Sequence, residues 1–562
     1  MSNAAIYLHP NGFDTTGKEL LGRHSAGESF LRGFIRHADV DRFHFWNVAS
    51  RPHTELQALV DRICPPDKPV NWIAPNRRAA LAEAGVVNLP GPDLGQEAWL
   101  RRVVGPRTYS LCGITHTTAT ANVMRMVPEL LLFPTEDYDA LICTSAAVRD
   151  GVETQLALVR DYMATEHGPR RRPEPQRVTI PLGVNTEDFR ITPEDRKAWR
   201  EKLDIPEDAV VALYVGRFNV RAKMNPALMA LALEKAAQRT GRDIYWVNSG
   251  HAISDELEAA YHDQTRALCP SVHYRHVDGR LPDVRFSIWS VADFFISFSD
   301  NIQETFGLTP IEAMAAGLPC VVTDWNGYKD TVRNGEDGFR IATRAPGPGS
   351  GADLAYWFSS NWMNYENYVG AASQFTVMDY EEAASAISIL VLNGDFRRRL
   401  GEQAKARARQ VFDWAAIIPQ YQALWAELNA RRQAAAPERG SSVNPFRPDP
   451  FTLFNSYPTE HAALEDIVAL ADGMTWEAAR TLLQSPLASY SAFNRVTLQE
   501  AEQIVAWLAE RPSASVAEMA AAVAGPGRLS FVQRGILWLA RYGIVTLKTA
   551  PRPVGGGREA GA

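Results

Sequence analysis

Two rounds of one alternation dominate this sequence. Over the first 430 residues, short apolar runs rich in β-branched and aromatic residues alternate with stretches of helical periodicity, the pattern of parallel sheets covered by helices. The first block holds strand AIYLH (5–9), a helix over 27–38, strand FHFWNV (43–48), SLCGIT (110–115) and DALICTS (139–145), and closes near IPLGVNTEDF (180–189). The second opens at VVALYVGRF (210–218) and continues through DIYWVNS (243–249), DFFISFS (293–299) and CVVTD (320–324), with its last helices running to about residue 410. Parallel strands need long crossover connections, so each block is an α/β domain: 1–188 and 189–410.

Helices near 394–411 and 414–431 follow, and the pattern then breaks at RRQAAAPERGSSVNPFRPDPF (431–451), which places a linker at 432–458. Residues 459–550 read as a small, mostly helical domain that ends in a β-like GIVTLKT (543–549). Its SVAEMAAAVAGPGRLSFVQRGILWLARYGIVTL has the helix, turn, helix, strand order of a winged helix. The tail, 551–562, is expected to be disordered.

Composition limits the partners. Lys and Arg total 58 against 65 Asp and Glu, a net charge of -7, so there is no global basic field for nucleic acid or an anionic membrane. Any cation that grips a phosphate must act locally. Residues 451–562 hold nine basic and ten acidic side chains, which disfavours DNA binding and suits a protein-interaction or dimerisation role. The five cysteines (Cys64, Cys112, Cys143, Cys269, Cys320) form no CxxC pair, so neither a disulfide framework nor a cysteine zinc site is indicated. The N-terminus lacks a signal-peptide pattern and no apolar run reaches the roughly 18–20 residues of a membrane helix, so the expectation is a soluble, cytoplasmic protein, with peripheral membrane association left open.

The densest chemical signal is ETFGLTPIEAMAAGLPCVVTDWNG, 304–327. Thr309 with Pro310 reads as a helix start and Gly317 with Pro319 as its stop, which predicts a helix over 310–316 whose N-terminal amides face the loop 304–308 and attract an anion. Gly307 would let a ligand approach the backbone there. Thr309 and Glu312 also fit a capping box, so Glu312 is either a cap or a ligand contact. Upstream, Arg217 and Lys223 follow a strand and precede Asn225-Pro226 at a helix start. Two cations beside a helix N-terminus suit a diphosphate, although a pair of solvated surface cations has the same spacing. Ser25 and Glu28 form another capping-box pair beside Gly27 and His24. His116, in CGITHTTAT, follows a buried strand and is either a satisfied core histidine or a site residue. Asp39-Val40-Asp41 reads as a solvated turn rather than a metal motif.

The 304–327 segment resembles the Glu-x7-Glu signature of the retaining glycosyltransferases of family 4, which have the GT-B architecture of two Rossmann-like domains facing a cleft. IPLGVNTEDF is similar to that family's interdomain hinge, VGRFNVRAKMNP (215–226) to its diphosphate loop, DALICTSAAVRD (139–150) to the end of its N-terminal domain, and NGYKDTVRNGEDGFRI (326–341) to its nucleotide-side turn. The resemblance covers about residues 1–430. It implies an acceptor-side N-terminal domain, a nucleotide-sugar-binding second domain, and a helix at 411–431 that packs back on the first. By the same resemblance Glu304 meets sugar hydroxyls, Glu312 the ribose, Arg217 and Lys223 the diphosphate, and His116 the sugar from the opposite wall. The backbone at Phe306, Gly307 and Leu308 lines the sugar and phosphate, and Gly27 belongs to the loop near the β-phosphate, with Ala26 where many relatives carry a second glycine.

The implied reaction is transfer of a sugar from a UDP- or GDP-sugar to an unknown acceptor hydroxyl with retention of configuration, without a metal or other cofactor. A nucleotide-sugar sensor built on a degenerate core is the alternative. Residues 345–370 stand outside the family pattern. Six aromatics there, Tyr356, Trp357, Phe358, Trp362, Tyr365 and Tyr368, suit acceptor stacking, a subunit contact or packing on the core. A homo-oligomer or protein partner would engage 352–368 or 459–550.

Overall fold

The computed structural model describes residues 2–15, 22–168, 172–281, 283–436, 443–491, 494–523 and 528–550. The chain divides into two compact units after residue 442. The expected tail (551–562) and part of the linker lie outside the described residues.

The first unit contains two parallel sheets. Strands β1 (Ala5–Leu8), β2 (Phe43–Asn47), β3 (Val70–Ile73), β4 (Val86–Asn88), β5 (Ser110–Ile114), β6 (Ala140–Cys143) and β7 (Gln176–Thr179) run in the order β3-β2-β1-β4-β5-β6-β7, all parallel. Strands β8 (Val210–Val215), β9 (Ile244–Gly250), β10 (Val272–Asp278), β11 (Phe294–Ser297), β12 (Cys320–Thr323) and β13 (Gly338–Ile341) form the second, in the order β10-β9-β8-β11-β12-β13. β5, β6, β11 and β12 are buried along their whole length, as continuous apolar runs between two helical layers must be. These are two Rossmann-like domains. In each, the strand order reverses beside the first strand, between β1 and β4 and between β8 and β11, and the loops leaving the carboxyl ends of those strands flank a crevice.

The two domains are joined twice. The chain leaves the first through Ile180–Phe189 and returns at Phe412–Trp414, where the Val184 amide donates to the Phe412 carbonyl (2.8 Å) and the Trp414 amide to the Val184 carbonyl (3.2 Å). Both the amide and the hydroxyl of Thr186 donate to Asp413. From there the helix Trp414–Ala434 lies on the helix Gly22–His37 of the first domain. Trp414 fills a space that two glycines leave open: a Cβ on Gly33 would come within 2.3 Å of its ring, and one on Gly183 within 2.6 Å. Phe34 meets Trp425 edge-on at 5.8 Å. A continuous apolar cluster runs from these residues through Leu182 and Phe189 to Val211 and Leu213 of the second sheet.

A short antiparallel pair, β14 (Thr343–Arg344) and β15 (Val377–Met378), brackets the aromatic insert, which folds as the helices Ala352–Ser359 and Tyr365–Ser373. Phe358 stacks on Tyr368 at 4.3 Å and Trp357 leans on Trp362 at 5.2 Å, while Tyr356 and Trp362 remain about 70% exposed (69% and 73%).

The second unit has β16 (Ile467–Leu470), β17 (Ala514–Ser515) and β18 (Val545–Lys548) in the antiparallel order β17-β16-β18, with helices Trp476–Gln484, Leu498–Ala509, Val516–Val523 and Leu529–Arg541 packed around Val468, Ile504, Met519 and Ile536. The unit ends in the helix Val516–Val523, the helix Leu529–Arg541 and β18. The central strand β16 departs from the reading of 459–550 as short helices with one final β-like run, because Ile467–Leu470 supplies the partner that β18 requires. Among the described residues, no helix is long and apolar enough to cross a membrane.

Candidate functional site

The loop leaving β8 is shaped by Asn219. Its side-chain oxygen accepts from the amides of Arg221 (3.0 Å) and Ala222 (2.8 Å), and its carbonyl accepts from the Lys223 amide (3.0 Å). This tight turn aims Lys223 at the neighbouring loop from β11, where Asn301 Nδ2 donates to the Arg221 carbonyl at 2.6 Å. The result is a charge pair across 81 positions of sequence: Lys223 Nζ donates to Glu304 Oε2 at 2.7 Å, with side chains 22% and 13% exposed. Burial by itself raises a carboxyl's pKa. At Glu304 it is outweighed by the charge and hydrogen bond of Lys223, with help from the Thr305 amide and Arg217, so the group lies below the usual carboxylate range. The Arg217 guanidinium, half-buried beside them, makes no hydrogen bond or ion pair among the described residues. The helix Ala227–Thr240 begins with Pro226 in the cap position and the Asn225 side chain accepting from the Ala227 amide (3.0 Å), one residue later than Asn225-Pro226 suggested.

The helix after Glu304 spans Leu308–Ala316, two residues earlier than the Thr-Pro signal indicates, and its cap is Gly307 with φ of 86°. No side chain caps it, so the Thr309–Glu312 capping box does not form and Glu312 is released from that role. Pro310 fits inside the first turn because the amide it lacks would be unpaired there in any case. Gly307 is fixed by two demands: its left-handed backbone, and the Tyr328 ring, which would lie 2.2 Å from a Cβ at this position. The space beside Gly307 therefore belongs to Tyr328, whose hydroxyl pairs with Ser297 at 2.8 Å, rather than to an incoming ligand. Phe306 turns its side chain into the core against Phe412, which leaves only its backbone for the crevice. Leu308 and Glu312 are half-buried on the first turns of the helix. Burial pushes the Glu312 carboxyl up to about 7, against the opposing charges of Arg285 and Lys223.

On the first domain, the reversal beside β1 holds a cavity of about 330 Å³ lined by His9, Asn11, Gly27, Phe30, His116 and Trp414 among others. Here the helix assignment changes. It spans Gly22–His37, so Ser25 lies inside it and is no cap, and Gly27 sits within a helical turn rather than in a loop. A Cβ on Gly27 would meet the Gly12 carbonyl oxygen at 2.0 Å, so the absent side chain lets the helix settle on the turn Pro10–Gly12. Glu28 accepts from the Thr15 hydroxyl and lies 3.7 Å from Arg285 of the second domain. The Asp39–Asp41 turn is held by Gln422, which bonds both the amide and the carbonyl of Asp39.

Several contacts draw the two walls together. The Ser145 hydroxyl, at the start of the helix Ala146–His167, donates to the Thr305 carbonyl at 2.7 Å, and the Ala146 amide donates to Asp330 at 2.6 Å. Tyr365 of the insert donates to Gln303 at 2.7 Å and lies 3.5 Å from the Thr117 hydroxyl, so the residue after His116 and the residue before Glu304 share one phenol. Ala119, Ala222 and Val369 pack together beneath it. The structure thus unites Arg217, Lys223 and Glu304, sets Glu312 one turn along the adjoining helix, and leaves His116 and Gly27 at the first domain's cavity. Sequence reasoning passed over Asn219, Asn326 and Ser145, and it took Tyr365 only as one of six insert aromatics suited to acceptor stacking, a subunit contact or core packing. Asn326, which donates to the Glu304 carbonyl from a left-handed conformation (φ 45°), had a usable signal in its Asn-Gly dipeptide.

Residues 195–347 match the family model described as "Glycosyl transferases group 1". A D-inositol 3-phosphate glycosyltransferase of Geodermatophilus obscurus is 34% identical over 179 residues, 31% of this chain and 38% of that protein. A phosphatidyl-myo-inositol mannosyltransferase of Mycobacterium tuberculosis is 29% identical over 171 residues, 30% of this chain and 40% of that protein. The matched part of the chain thus spans about two fifths of these curated relatives. Among solved structures, Anabaena HepE in complex with UDP aligns at 15% identity and a TM-score of 0.48, over 76% of this chain and all of that one.

Proposed function

We propose that this chain, which carries a glycosyltransferase group 1 domain over residues 195–347, transfers a sugar from a nucleotide sugar to an acceptor hydroxyl with retention of anomeric configuration. The observation that carries the proposal is the Lys223–Glu304 pair beside Arg217, at the reversal of strand order and next to the amides opening the helix Leu308–Ala316. A donor's diphosphate would take Lys223 and Arg217 as counter-charges, releasing Glu304 to accept hydrogen bonds from sugar hydroxyls. In this reading Glu312 receives the ribose diol.

In the reaction, the acceptor oxygen forms a bond to the anomeric carbon on the face from which the diphosphate departs. The bond from that carbon to the phosphate oxygen breaks, and the acceptor's proton passes to a phosphate oxygen. Lys223, Arg217 and the helix amides stabilise the charge that grows on the leaving group, so the proposed chemistry assigns no step to a metal. His116 and the first domain's cavity would present the acceptor side, and the Ser145–Thr305 and Ala146–Asp330 contacts would hold the walls closed and limit hydrolysis. UDP- and GDP-sugars are the proposed donors.

The test is a thermal-shift screen of the full chain over UDP- and GDP-sugars, in which a donor at 100 times its Kd adds about 2.7 kcal/mol, followed by hydrolysis and transfer assays with the best donor. Lys223→Ala and Glu304→Ala should abolish turnover while the fold survives. Binding without turnover in the wild-type chain would favour a sensor, and turnover retained in both variants would overturn the site.

A further inference from the structure

Beside Phe218, in the loop that carries Arg217, three side chains converge. Glu258 and His262 stand four residues apart on one face of the helix Asp255–Leu268, and His276 lies at the carboxyl end of β10. One ligand atom from each falls within 4.8 Å of the others. His276 Nε2 and Glu258 Oε1 are 3.4 Å apart, which is the edge of a tetrahedron with metal–ligand bonds of about 2.0–2.1 Å.

The polar atoms around this point are committed in a way that leaves one set facing inward. His262 is 6% exposed, its Nδ1 lies 2.5 Å from the Tyr274 hydroxyl, and its Nε2 is buried without a hydrogen-bond partner. His276 Nε2 is likewise buried without a hydrogen bond. Glu258 uses Oε2 to accept from the Ala252 amide at 2.7 Å, which leaves Oε1 directed at the histidines. The two imidazole centroids are 4.1 Å apart. Buried ring nitrogens normally find a partner, and a ligating histidine normally gives its other nitrogen to an orienting group, as His262 does with Tyr274.

We propose that Glu258 Oε1, His262 Nε2 and His276 Nε2 bind one Zn2+ ion, with the fourth position open to water past the partly exposed Glu258 and His276. Its role is structural. Phe218, next to Arg217, packs edge-on to His262 (4.9 Å) and His276 (5.5 Å) and stacks on Tyr261 (4.7 Å), so an ion here braces the floor of the loop that carries Arg217. The site is separate from the proposed sugar transfer and stands whether or not that reading survives.

The test uses the purified full chain stripped with a chelator and titrated with Zn2+, and in parallel with Co2+, whose visible absorption is strong in a tetrahedral site and weak in an octahedral one. One equivalent per chain, a strong Co2+ band and a higher thermal midpoint with Zn2+ are expected. Because His262 is buried, Glu258→Gln and His276→Gln carry the mutational arm, and each should weaken Zn2+ binding at least tenfold. Absence of the band, a weak octahedral band, or wild-type Zn2+ affinity in both Glu258→Gln and His276→Gln would overturn the proposal.

Discussion

Replacing Lys223 by methionine isolates the energetics of the central charge pair. The side chain keeps much of its length, but Glu304, 13% exposed, loses its counter-ion. At 2.7 Å and an effective dielectric constant of 20, the Coulomb attraction is about 6 kcal/mol, most of it offset by the desolvation of both groups. Removing one partner leaves the other's desolvation uncompensated. For a fully buried pair that costs about 3–5 kcal/mol, and with roughly a fifth of Lys223 exposed we expect about 2–3 kcal/mol near pH 8. The loss must depend on pH. In the wild-type chain Glu304 is depressed, so its stabilising contribution is present above the ordinary Glu value of 4.5 and is lost as pH falls through the depressed one. In the variant the charge and hydrogen bond of Lys223 are gone and burial is opposed only by the Thr305 amide and Arg217, so the pKa rises above its wild-type value, and the penalty is full above the risen value and fades as pH falls through it. For a domain of this size each kcal/mol moves the midpoint by about 2–4 °C, so scanning fluorimetry should show the second domain's transition lowered by about 5–10 °C at pH 8 and by less at pH 5. Equal shifts at the two pH values, or less than 1 °C at pH 8, would refute the reasoning. The same samples should show no stabilisation by a donor that stabilises the wild type.

Glu312, raised to about 7, should make donor affinity rise as pH increases from 6 to 8, because under the proposed function its carboxylate form is the better acceptor for a ribose diol; calorimetry with a nucleotide sugar should find this dependence reduced in Glu312→Gln, with any residue left to Asp300, which burial also lifts to about 7. Tyr365→Phe deletes the hydroxyl shared by Gln303 and Thr117, and steady-state kinetics should show a several-fold loss in kcat/KM with the thermal midpoint nearly unchanged. Trp414→Ala leaves the space between Gly33 and Gly183 unfilled and should cost about 3–5 kcal/mol, read from urea unfolding of the first domain. The isolated 455–550 fragment should fail to retard DNA at physiological salt, since its charges balance; a shifted band would refute that reading.

Much of the fold was legible because central parallel strands carry unbroken apolar runs: β1, β2, β5, β6, β8, β9, β11 and β12 stand where those runs do. Of the five strands of the two parallel sheets that periodicity did not flag, β3, β7, β10 and β13 are sheet edges, where one side meets solvent and polar residues such as Asn71, Gln176, His273 and Arg340 break the signal. The fifth, β4, is three residues long. Cap signals misplaced three helix starts: Gly307 and the Tyr328 ring decide the one at Leu308, the helix containing Ser25 starts at Gly22, and the helix after Asn225-Pro226 starts one residue late at Ala227. The meeting of Lys223 with Glu304 follows from β8 and β11 being neighbours, which the order of the blocks implies. Tyr365, Ser145 and Arg285 depend on how one domain lies against the other, and no local pattern encodes that.

The return of the chain to its starting domain sets a schedule for biosynthesis. The tryptophan seated over Gly33 and Gly183 emerges from the ribosome more than two hundred residues after the segment that it seals. Phe30 and Phe34 lie some 380 residues upstream of that tryptophan, so at about 5–20 residues per second they wait about 20–75 seconds for their cover. During that interval the nascent first domain presents an apolar seam to chaperones and to neighbouring chains. A fragment cut at the hinge should inherit the seam permanently, and supplying residues 411–434 as a separate peptide should relieve it.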